Sequence, residues 1–425
     1  IVPGFCENRT LCMAMEMMRV DPVVRGAPLR ASLAPVQGPT VHMPLPPQRG
    51  YGTTFTAITG LAALQGRRLS RARKVSASQA PDAAVAPALE TDAAGRRRLQ
   101  YQPEGWSTWD WTPPEHLEMG SDSFKINYIA AGPENGQRIM LVHGFGASSY
   151  HWRYQVATLA EQGYRVYSMC LLGYGWSDRA VLQYSGEVWA AQINDFLAQV
   201  AGGPAVLVGN SIGAFATLLA ASLESTFCHG LVLLNAAGRF EERQPGEAPA
   251  RKQAGDVVAE AAEQAEPGPI QWVFEQVRRA LAGWAFYTTK LRIQPILQWV
   301  YVNEEQVDED LVTSIRTPAD HPNALDAFAE VIQAGRRTQV SVFEALDALP
   351  VSLPVLLIWG MQDPWMRPAR ANAILSECAQ RGIGCQLVEV EEAGHCPQDD
   401  APVAVNTALV SWLEEVKQVK QPAAA

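Results

Sequence analysis

Two apolar patterns alternate along the chain beyond residue 100. Continuous apolar runs predict buried strands, and apolar residues spaced three and four apart predict helices. The predicted strands are 124–130, 138–142, 164–170, 205–208, 229–235, 355–359 and 386–390. The predicted helices are 151–162, 187–200, 214–223, 368–381 and 402–416. Strands that alternate with helices indicate an α/β fold, in which helices cover both faces of a mostly parallel sheet.

One long segment interrupts this alternation. Residues 237–349 lie between two predicted strands and have an almost wholly helical pattern. Because this segment is far longer than an ordinary connection, we predict that it is an inserted helical cap. Its aromatic and aliphatic side chains would form the core of the cap, and a few would line a pocket beneath it. The main domain would then comprise residues 101–236 and 350–418.

The first part of the chain differs in composition. Residues 1–81 hold ten Lys and Arg residues against three acidic ones, and residues 22–81 contain no Asp or Glu. An Arg-rich, Ser-containing and acid-poor segment is typical of an organelle transit peptide. A disordered basic tail without a targeting role is the alternative. We predict a plastid transit peptide or disordered segment over 1–80, a linker over 81–100 and a disordered tail over 419–425.

The remaining composition excludes several classes of protein. The net charge is −10, so the chain beyond residue 81 carries −17 against +7 before it. An acidic body of this kind argues against a nucleic-acid partner. The seven cysteines form no C-x-x-C pair, which favours reduced thiols over a disulfide framework. No uninterrupted run of eighteen apolar residues occurs, so no transmembrane helix is predicted.

A short stretch in the middle of the chain, 205–219, carries the main chemical signal. It reads AVLVGNSIGAFATLL, which is an apolar strand, the turn GNSIG and a small-residue helix. This order is the context of a nucleophile elbow, whose sharp turn projects a serine hydroxyl beyond the sheet edge. The two glycines let the helix pack closely against the strand. Ser211 is therefore the candidate nucleophile, and a chance match in a glycine-rich chain is the alternative.

A serine nucleophile needs a histidine base and an acid that orients the base. Two predicted strands downstream of Ser211 lead to Asp363 and His395, in the chain order serine, acid, histidine that this elbow uses. Because the carboxyl ends of parallel strands meet at one edge, we expect the three side chains to lie together. His395 would be the general base and then the acid, and Asp363 would orient it. The alternatives are a helix N-cap for Asp363 and a structural loop histidine for His395.

The sequence HGFG at 143–146 follows a predicted strand directly. Such a loop supplies one backbone N–H of an oxyanion hole, and the residue after the nucleophile supplies another. We predict that the amides of Phe145 and Ile212 form this hole. His143 is predicted to be structural rather than catalytic.

These motifs resemble the α/β-hydrolases of the plastid group that contains chlorophyll dephytylase and pheophytinase. The resemblance covers roughly residues 106–416 and includes LLGYGWSD at 171–178, WGMQDPWMRP at 359–368 and GHCPQDD at 394–400. The cap sequences VYVNEEQVDEDLV and HPNALDAF are narrower markers of the group than the triad. The chain departs from the group at Cys170, where Asp is common, and at Ala214, where a second Gly is common.

The resemblance implies an α/β-hydrolase fold and a serine ester hydrolase that needs no metal or organic cofactor. Its substrate would be a small lipophilic ester, a phytylated tetrapyrrole, from which phytol is released. The implied location is the chloroplast, in the stroma or at the thylakoid surface, where any membrane contact would be peripheral and through the cap. A general plastid carboxylesterase or lipase stays open, as does a ligand-binding receptor without catalysis on the same fold.

Overall fold

The structure is a computed structural model that describes residues 86–119, 122–240 and 282–420. The predicted transit peptide over 1–80 lies outside these ranges. Residues 241–281 of the predicted cap and residues 421–425 of the predicted tail lie outside them as well.

The core of the molecule is an eight-stranded sheet, accompanied by a separate two-stranded hairpin. The strands are β1 (Leu89–Thr91), β2 (Arg97–Leu99), β3 (Ser107–Trp111), β4 (Phe124–Ala131), β5 (Arg138–Val142), β6 (Arg165–Met169), β7 (Ala205–Asn210), β8 (Cys228–Leu234), β9 (Val355–Gly360) and β10 (Cys385–Val390). The order in the sheet is β10-β9-β8-β7-β5-β6-β4-β3. Strands β5 to β10 are parallel, and β4 and β3 continue the sheet antiparallel at one edge. The prediction of an α/β fold with a mostly parallel sheet is confirmed.

Helices cover both faces of the sheet, and further helices form the cap region. In chain order the helices are α1 (Arg153–Glu161), α2 (Gly186–Phe196), α3 (Ile212–Leu223), α4 (Ile293–Val300), α5 (Glu309–Arg316), α6 (Ala324–Val331), α7 (Ala334–Arg337), α8 (Val342–Asp347), α9 (Ala369–Arg381), α10 (Pro397–Asp400) and α11 (Pro402–Lys420). Successive residues of β7 point to opposite faces. Leu207 packs in one apolar cluster with side chains of α2, α3 and α9. Val206 and Val208 pack in a second cluster with α1 and α11.

The predicted linker over 81–100 is wrong for the part that the structure describes. Strands β1 and β2 form an antiparallel hairpin in which Leu89 lies opposite Leu99. Asp92 closes the turn by accepting from the Arg96 amide at 2.8 Å, and Leu99 is fully buried against α1. Arg98 forms ion pairs with Glu90 and with Asp308 of the cap region. These charges are ordered partly within the hairpin, by Asp92 and Glu90, and partly by Asp308, which is distant in sequence.

The described part of the predicted cap, residues 282–349, is largely helical. Residues 282–291 form a helix ahead of α4 to α8. Helices α4 and α5 share a small apolar cluster that includes Leu297, Val300 and Leu311. By contrast, Val342 and Leu346 of α8 pack within the main core. The last helix of the predicted cap is therefore packed as part of the main domain.

Candidate active site

Ser211 lies on a strained turn between β7 and α3. Its backbone has φ 55° and ψ −120°, in a region that non-glycine residues rarely adopt. Its amide donates to the Leu234 carbonyl at 3.0 Å, and its own carbonyl accepts from the amides of Phe215 and Ala237. Such a conformation costs of the order of 1–3 kcal/mol and persists only where the surroundings hold it. The hydrogen bonds on either side of Ser211 provide that support.

The two glycines of the turn allow the strand and the helix to approach closely. A Cβ on Gly209 would lie 2.4 Å from the Gly213 carbonyl oxygen. A Cβ on Gly213 would lie 2.3 Å from the His143 carbonyl oxygen. Neither position accepts a side chain without movement of the backbone, which is the physical reason for the G-x-S-x-G spacing.

Asp363 and His395 are brought together at the carboxyl edge of the sheet. Asp363 follows β9, His395 follows β10, and both side chains are buried. His395 Nδ1 lies 2.7 Å from Asp363 Oδ2. The Trp365 amide donates to Asp363 Oδ1 at 2.7 Å, and the Trp365 ring contacts the His395 ring edge to face, with centroids 4.8 Å apart. These contacts hold both side chains in one orientation.

Asp363 is ionised in this environment. Burial raises the pKa of the carboxyl, but interaction with His395 and the backbone amides of Trp365 and Met366 outweighs it. The net effect places the pKa of Asp363 below its ordinary value. A carboxylate can only accept hydrogen bonds. His395 Nδ1 therefore carries the proton, and Nε2 is left with a free lone pair.

Two asparagines support this arrangement, and the sequence analysis missed both. Asn235, just after β8 with φ 42°, donates from Nδ2 to Asp363 Oδ2 at 2.7 Å and accepts from the Gly360 amide. Asn210, just before Ser211, donates from Nδ2 to the His395 carbonyl at 3.0 Å. Each asparagine stands where a parallel strand ends, which is where functional groups collect in such sheets. This position was the signal available in the sequence.

The predicted oxyanion loop lies against the turn that carries Ser211. A Cβ on Gly144 would lie 3.1 Å from the Ser211 Cβ. Within the described ranges, neither the Phe145 amide nor the Ile212 amide donates to a protein acceptor. Ile212 is also the first residue of α3, where backbone N–H groups and the helix dipole favour negative charge. Both amides are thus free to receive an oxyanion.

His143 has the structural role that the sequence analysis assigned to it. Its Nε2 accepts from the Leu171 amide at 3.1 Å, so its Nδ1 donates to the Gly144 carbonyl at 2.7 Å. Burial lowers the pKa of His143 to about 4. His151 is buried as well, contacts the Tyr301 hydroxyl through Nε2 at 2.6 Å, and has its pKa lowered to about 3, chiefly by burial. Both rings are neutral near pH 7.

Acidification is expected to destabilise the fold through these two histidines. Their folded pKa values lie below the ordinary value of 6.5, so the unfolded chain takes up protons that the folded chain does not. The stabilisation is complete above about pH 6.5 and is lost progressively as the pH falls toward 4. Going from pH 7 to pH 5 should lower the free energy of unfolding in urea by about 2 kcal/mol per histidine.

Two variants separate this effect from general acid sensitivity. Replacement His151→Gln should remove about half of the pH dependence, whatever its effect on stability at pH 7. His116→Gln, the same substitution at an exposed position, is the matched control. A wild-type free energy of unfolding that stays constant between pH 7 and pH 5 would contradict the assignment.

The acidic pair at the end of GHCPQDD is structural. Asp399 is buried and pairs with Arg153 Nε at 2.7 Å, and it accepts from the Tyr301 hydroxyl at 3.0 Å. Asp400 accepts from the amides of Val302 and Asn303. These contacts tie the cap segment to the loop that carries His395. Across the described ranges, no group of three His, Cys, Asp or Glu side chains is arranged to hold a metal ion.

A cleft of about 100 Å³ extends from the Phe145 loop beneath the cap. Its walls include Phe145 and Tyr174 from the main domain and Phe286 and Phe328 from the cap region. Ser211 and His395 do not line this cleft, but Phe145 does, and the adjacent Gly144 lies against Ser211. The cleft offers a mostly apolar space with four aromatic side chains, and it begins at the loop that carries the candidate oxyanion amide of Phe145.

The fold and this site correspond to a known family. A family model described as the alpha/beta hydrolase family matches residues 139–408, so the chain belongs to that family and is a hydrolase. Among characterised proteins, it is similar to chloroplastic pheophytinase of Arabidopsis thaliana, with 25% identity over 332 residues that cover 69% of this chain. The match covers 65% of pheophytinase, so the chain spans just under two-thirds of that relative. It is also similar to the AB hydrolase superfamily protein YfhM of Bacillus subtilis, at 21% identity over 70% of this chain and 96% of that protein.

Solved structures show the same fold. The serine hydrolase CarC, involved in carbazole degradation, matches with a TM-score of 0.52 and 20% identity over 72% of this chain and 99% of that one. A thermophilic esterase from Thermogutta terrifontis matches with a TM-score of 0.51 and 21% identity over 73% and 99% of the two chains. At these identities the likeness concerns the fold alone.

Proposed function

We propose that the chain is a serine ester hydrolase in which Ser211, His395 and Asp363 form the catalytic triad. The observation that carries the proposal is the buried hydrogen bond between His395 Nδ1 and Asp363 Oδ2, beside a serine on a strained elbow. Ionised Asp363 keeps the proton on Nδ1, so Nε2 is the base. Asn235 fixes the carboxylate and Asn210 fixes the backbone of His395.

The proposed acylation uses these groups. Ser211 Oγ attacks the ester carbonyl carbon and passes its proton to His395 Nε2. The carbonyl oxygen becomes an oxyanion that accepts from the amides of Phe145 and Ile212, each worth roughly 10²–10³ in turnover. The bond to the alcohol then breaks, and the alcohol leaves with the proton from His395. The acyl group stays on Ser211.

Deacylation repeats these steps with water. His395 Nε2 takes a proton from a water molecule whose oxygen attacks the acyl carbon, and the same two amides hold the second oxyanion. Collapse of that intermediate returns the proton to Ser211 Oγ and releases the carboxylic acid. Apart from this water molecule, every group used belongs to the chain or to the ester.

We propose that the ester is the phytyl ester of a chlorophyll-type pigment. Similarity to pheophytinase and the aromatic walls of the cleft support this substrate class. A general plastid carboxylesterase or lipase is the alternative that uses the same triad. The hydrogen bond between His395 and Asp363 supports catalysis over a receptor role without catalysis.

The test uses the full chain, as wild type and as Ser211→Ala, incubated separately with chlorophyll a and pheophytin a. We expect dephytylated pigment and free phytol from the wild type alone, resolved by chromatography. The ratio of the product from chlorophyll a to the product from pheophytin a would identify the preferred pigment. Hydrolysis of a simple acyl ester without hydrolysis of either pigment would favour the general carboxylesterase. Retention of intact pigment without turnover would favour the receptor.

We also propose a plastid location with peripheral membrane contact through the cap region. The name of the chloroplastic relative and the acid-poor segment before residue 81 support the location. No helix in the described ranges is long and apolar enough to cross a bilayer. On the helix at 282–291, Trp284, Tyr287 and Leu291 are each more than half exposed.

Liposome sedimentation tests the membrane contact. The wild type should sediment with vesicles of galactolipid, and Trp284→Ser with Tyr287→Ser should sediment several-fold less. Val351→Ser, at another exposed apolar position outside the cap helices, should behave as wild type. Equal sedimentation of all three proteins would refute contact through this helix.

A further inference from the structure

Arg179 is a buried cation for which the described residues supply no partner. It follows the loop at 171–178, lines the cleft beneath the cap and is only 8% exposed. In the parts of the chain that the structure describes, no hydrogen bond or ion pair involves its guanidinium. Its neighbour Asp178 accepts instead from the Lys125 amide at 2.7 Å. Burial lowers the pKa of Arg179.

A second buried arginine shows what a structural role looks like in this fold. Arg153 forms an ion pair with Asp399 at 2.7 Å and another with Asp308 at 2.8 Å. An arginine that is removed from water needs such acceptors, because an unpaired buried charge is costly. Arg179 bears this cost without any of these contacts. Side chains that destabilise the fold in this way are typical of binding sites, where a ligand supplies the missing contacts.

The surroundings of Arg179 indicate what it receives. The Tyr174 hydroxyl in the same cleft is also buried without a hydrogen-bond partner. Lys290 lines the cleft as well, but its ammonium is paired with Asp320, which lies outside the lining. The rings of Phe286 and Phe328 close the cleft from the cap side. The space is therefore mostly apolar, and the Arg179 guanidinium and the Tyr174 hydroxyl are its donors without a partner among the described residues.

We propose that Arg179 binds an oxygen acceptor of the acyl part of the substrate, a carbonyl or carboxylate group separate from the scissile ester. A guanidinium makes short, charge-assisted hydrogen bonds to such oxygens, and the Tyr174 hydroxyl is a second donor in the same cleft. The proposal rests on the ester hydrolase function proposed above. It is compatible with chlorophyll-type pigments, which carry ketone and methyl ester carbonyls beside the phytyl ester. Arg179 would then select acyl groups that bear an acceptor over plain aliphatic ones.

The test measures binding without turnover, in full-length protein carrying Ser211→Ala. The probes are 4-nitrophenyl esters of one linear acid whose far end is a methyl group, a methyl ester or a free carboxylate. Quenching of tryptophan fluorescence gives Kd for each. Adding Arg179→Met should raise Kd about 10- to 100-fold for the two acceptor-bearing esters, as expected for a lost charge-assisted hydrogen bond. Kd for the plain ester should change less than about twofold.

Three comparisons make the result specific. Arg179→Lys, which keeps the charge, should restore most of the binding of the carboxylate ester. Arg138→Met, at the opposite end of β5 from the Phe145 loop, should leave all three Kd values unchanged. Thermal unfolding of Arg179→Met should occur at or above the wild-type temperature, because the variant removes an unpaired buried charge. Arg179→Met raises Kd for both the methyl ester probe and the carboxylate probe, and the larger increase tells whether the natural acceptor is neutral or anionic.

Equal weakening of all three esters, together with a lowered unfolding temperature, would assign Arg179 a structural role and overturn the proposal. Unchanged binding of all three esters would overturn it as well. The function of the site is tested separately, by hydrolysis of the plain ester with wild-type protein. If that hydrolysis fails while the pattern of Kd values holds, the esterase proposal falls and the binding role of Arg179 stands.

Discussion

Replacing Ser211 by alanine should lower kcat for ester hydrolysis by about six orders of magnitude. The remaining rate would be the one that substrate binding and the oxyanion hole supply without the nucleophile. In the proposed mechanism the Ser211 hydroxyl oxygen attacks the ester carbonyl carbon, and the turn at 209–213 has no other hydroxyl side chain. Replacing Asp363 by asparagine should cost about 10⁴, because an amide at this position can hold the wrong tautomer of His395. Both losses should appear in kcat rather than in KM, measured with a chromogenic acyl ester.

A serine on the same helix provides the control. Ser222, in α3, is half-buried, and its hydroxyl donates to the Leu219 carbonyl at 2.8 Å. Ser222→Ala should change kcat less than twofold, since the helix backbone remains intact. More than one per cent of wild-type turnover in purified Ser211→Ala protein would rule out Ser211 as the nucleophile.

Replacing Arg153 by methionine should lower the free energy of unfolding by about 3–5 kcal/mol. Asp399 would be left buried and unpaired, while Asp308 would keep its ion pair with Arg98. Such a loss is a large fraction of the stability of an ordinary domain. Urea unfolding at pH 7 measures it directly.

The double variant Arg153→Met with Asp399→Leu separates the missing attraction from the buried charge. It should recover much of the lost stability, because well-packed apolar side chains replace a buried ion pair at little cost. Arg97→Met, which removes an exposed pair with Glu161, should change stability by less than about 1 kcal/mol. If Arg153→Met and Arg97→Met lowered the free energy of unfolding equally, Arg153 would not stabilise this region through its ion pairs.

The sequence predicted the sheet and the order of the candidate catalytic groups because both depend on local pattern. Buried parallel strands read as unbroken apolar runs, and β5 was predicted with the bounds that the structure has, Arg138–Val142. Ser211, Asp363 and His395 each follow such a run, so their common edge could be inferred from topology. The hydrogen bond between Asp363 and His395 agrees with that inference.

The remaining features depend on contacts between distant parts of the chain. Asp399 and Arg153 are 246 residues apart in sequence, and nothing local marks them as partners. The hairpin of β1 and β2 was predicted as linker because its charged residues are satisfied only in the folded chain. That Arg179 has no partner among the described residues is likewise visible only in the folded structure.

Covalent labelling tests the central claim most directly. Full-length protein is treated with an alkyl fluorophosphonate, which phosphonylates activated serines, and digested peptides are analysed by mass spectrometry. We expect one adduct, on Ser211, formed much more slowly in His395→Gln protein and absent from Ser211→Ala protein. Labelling of another residue at the wild-type rate, or labelling of Ser211 that does not depend on His395, would contradict the triad.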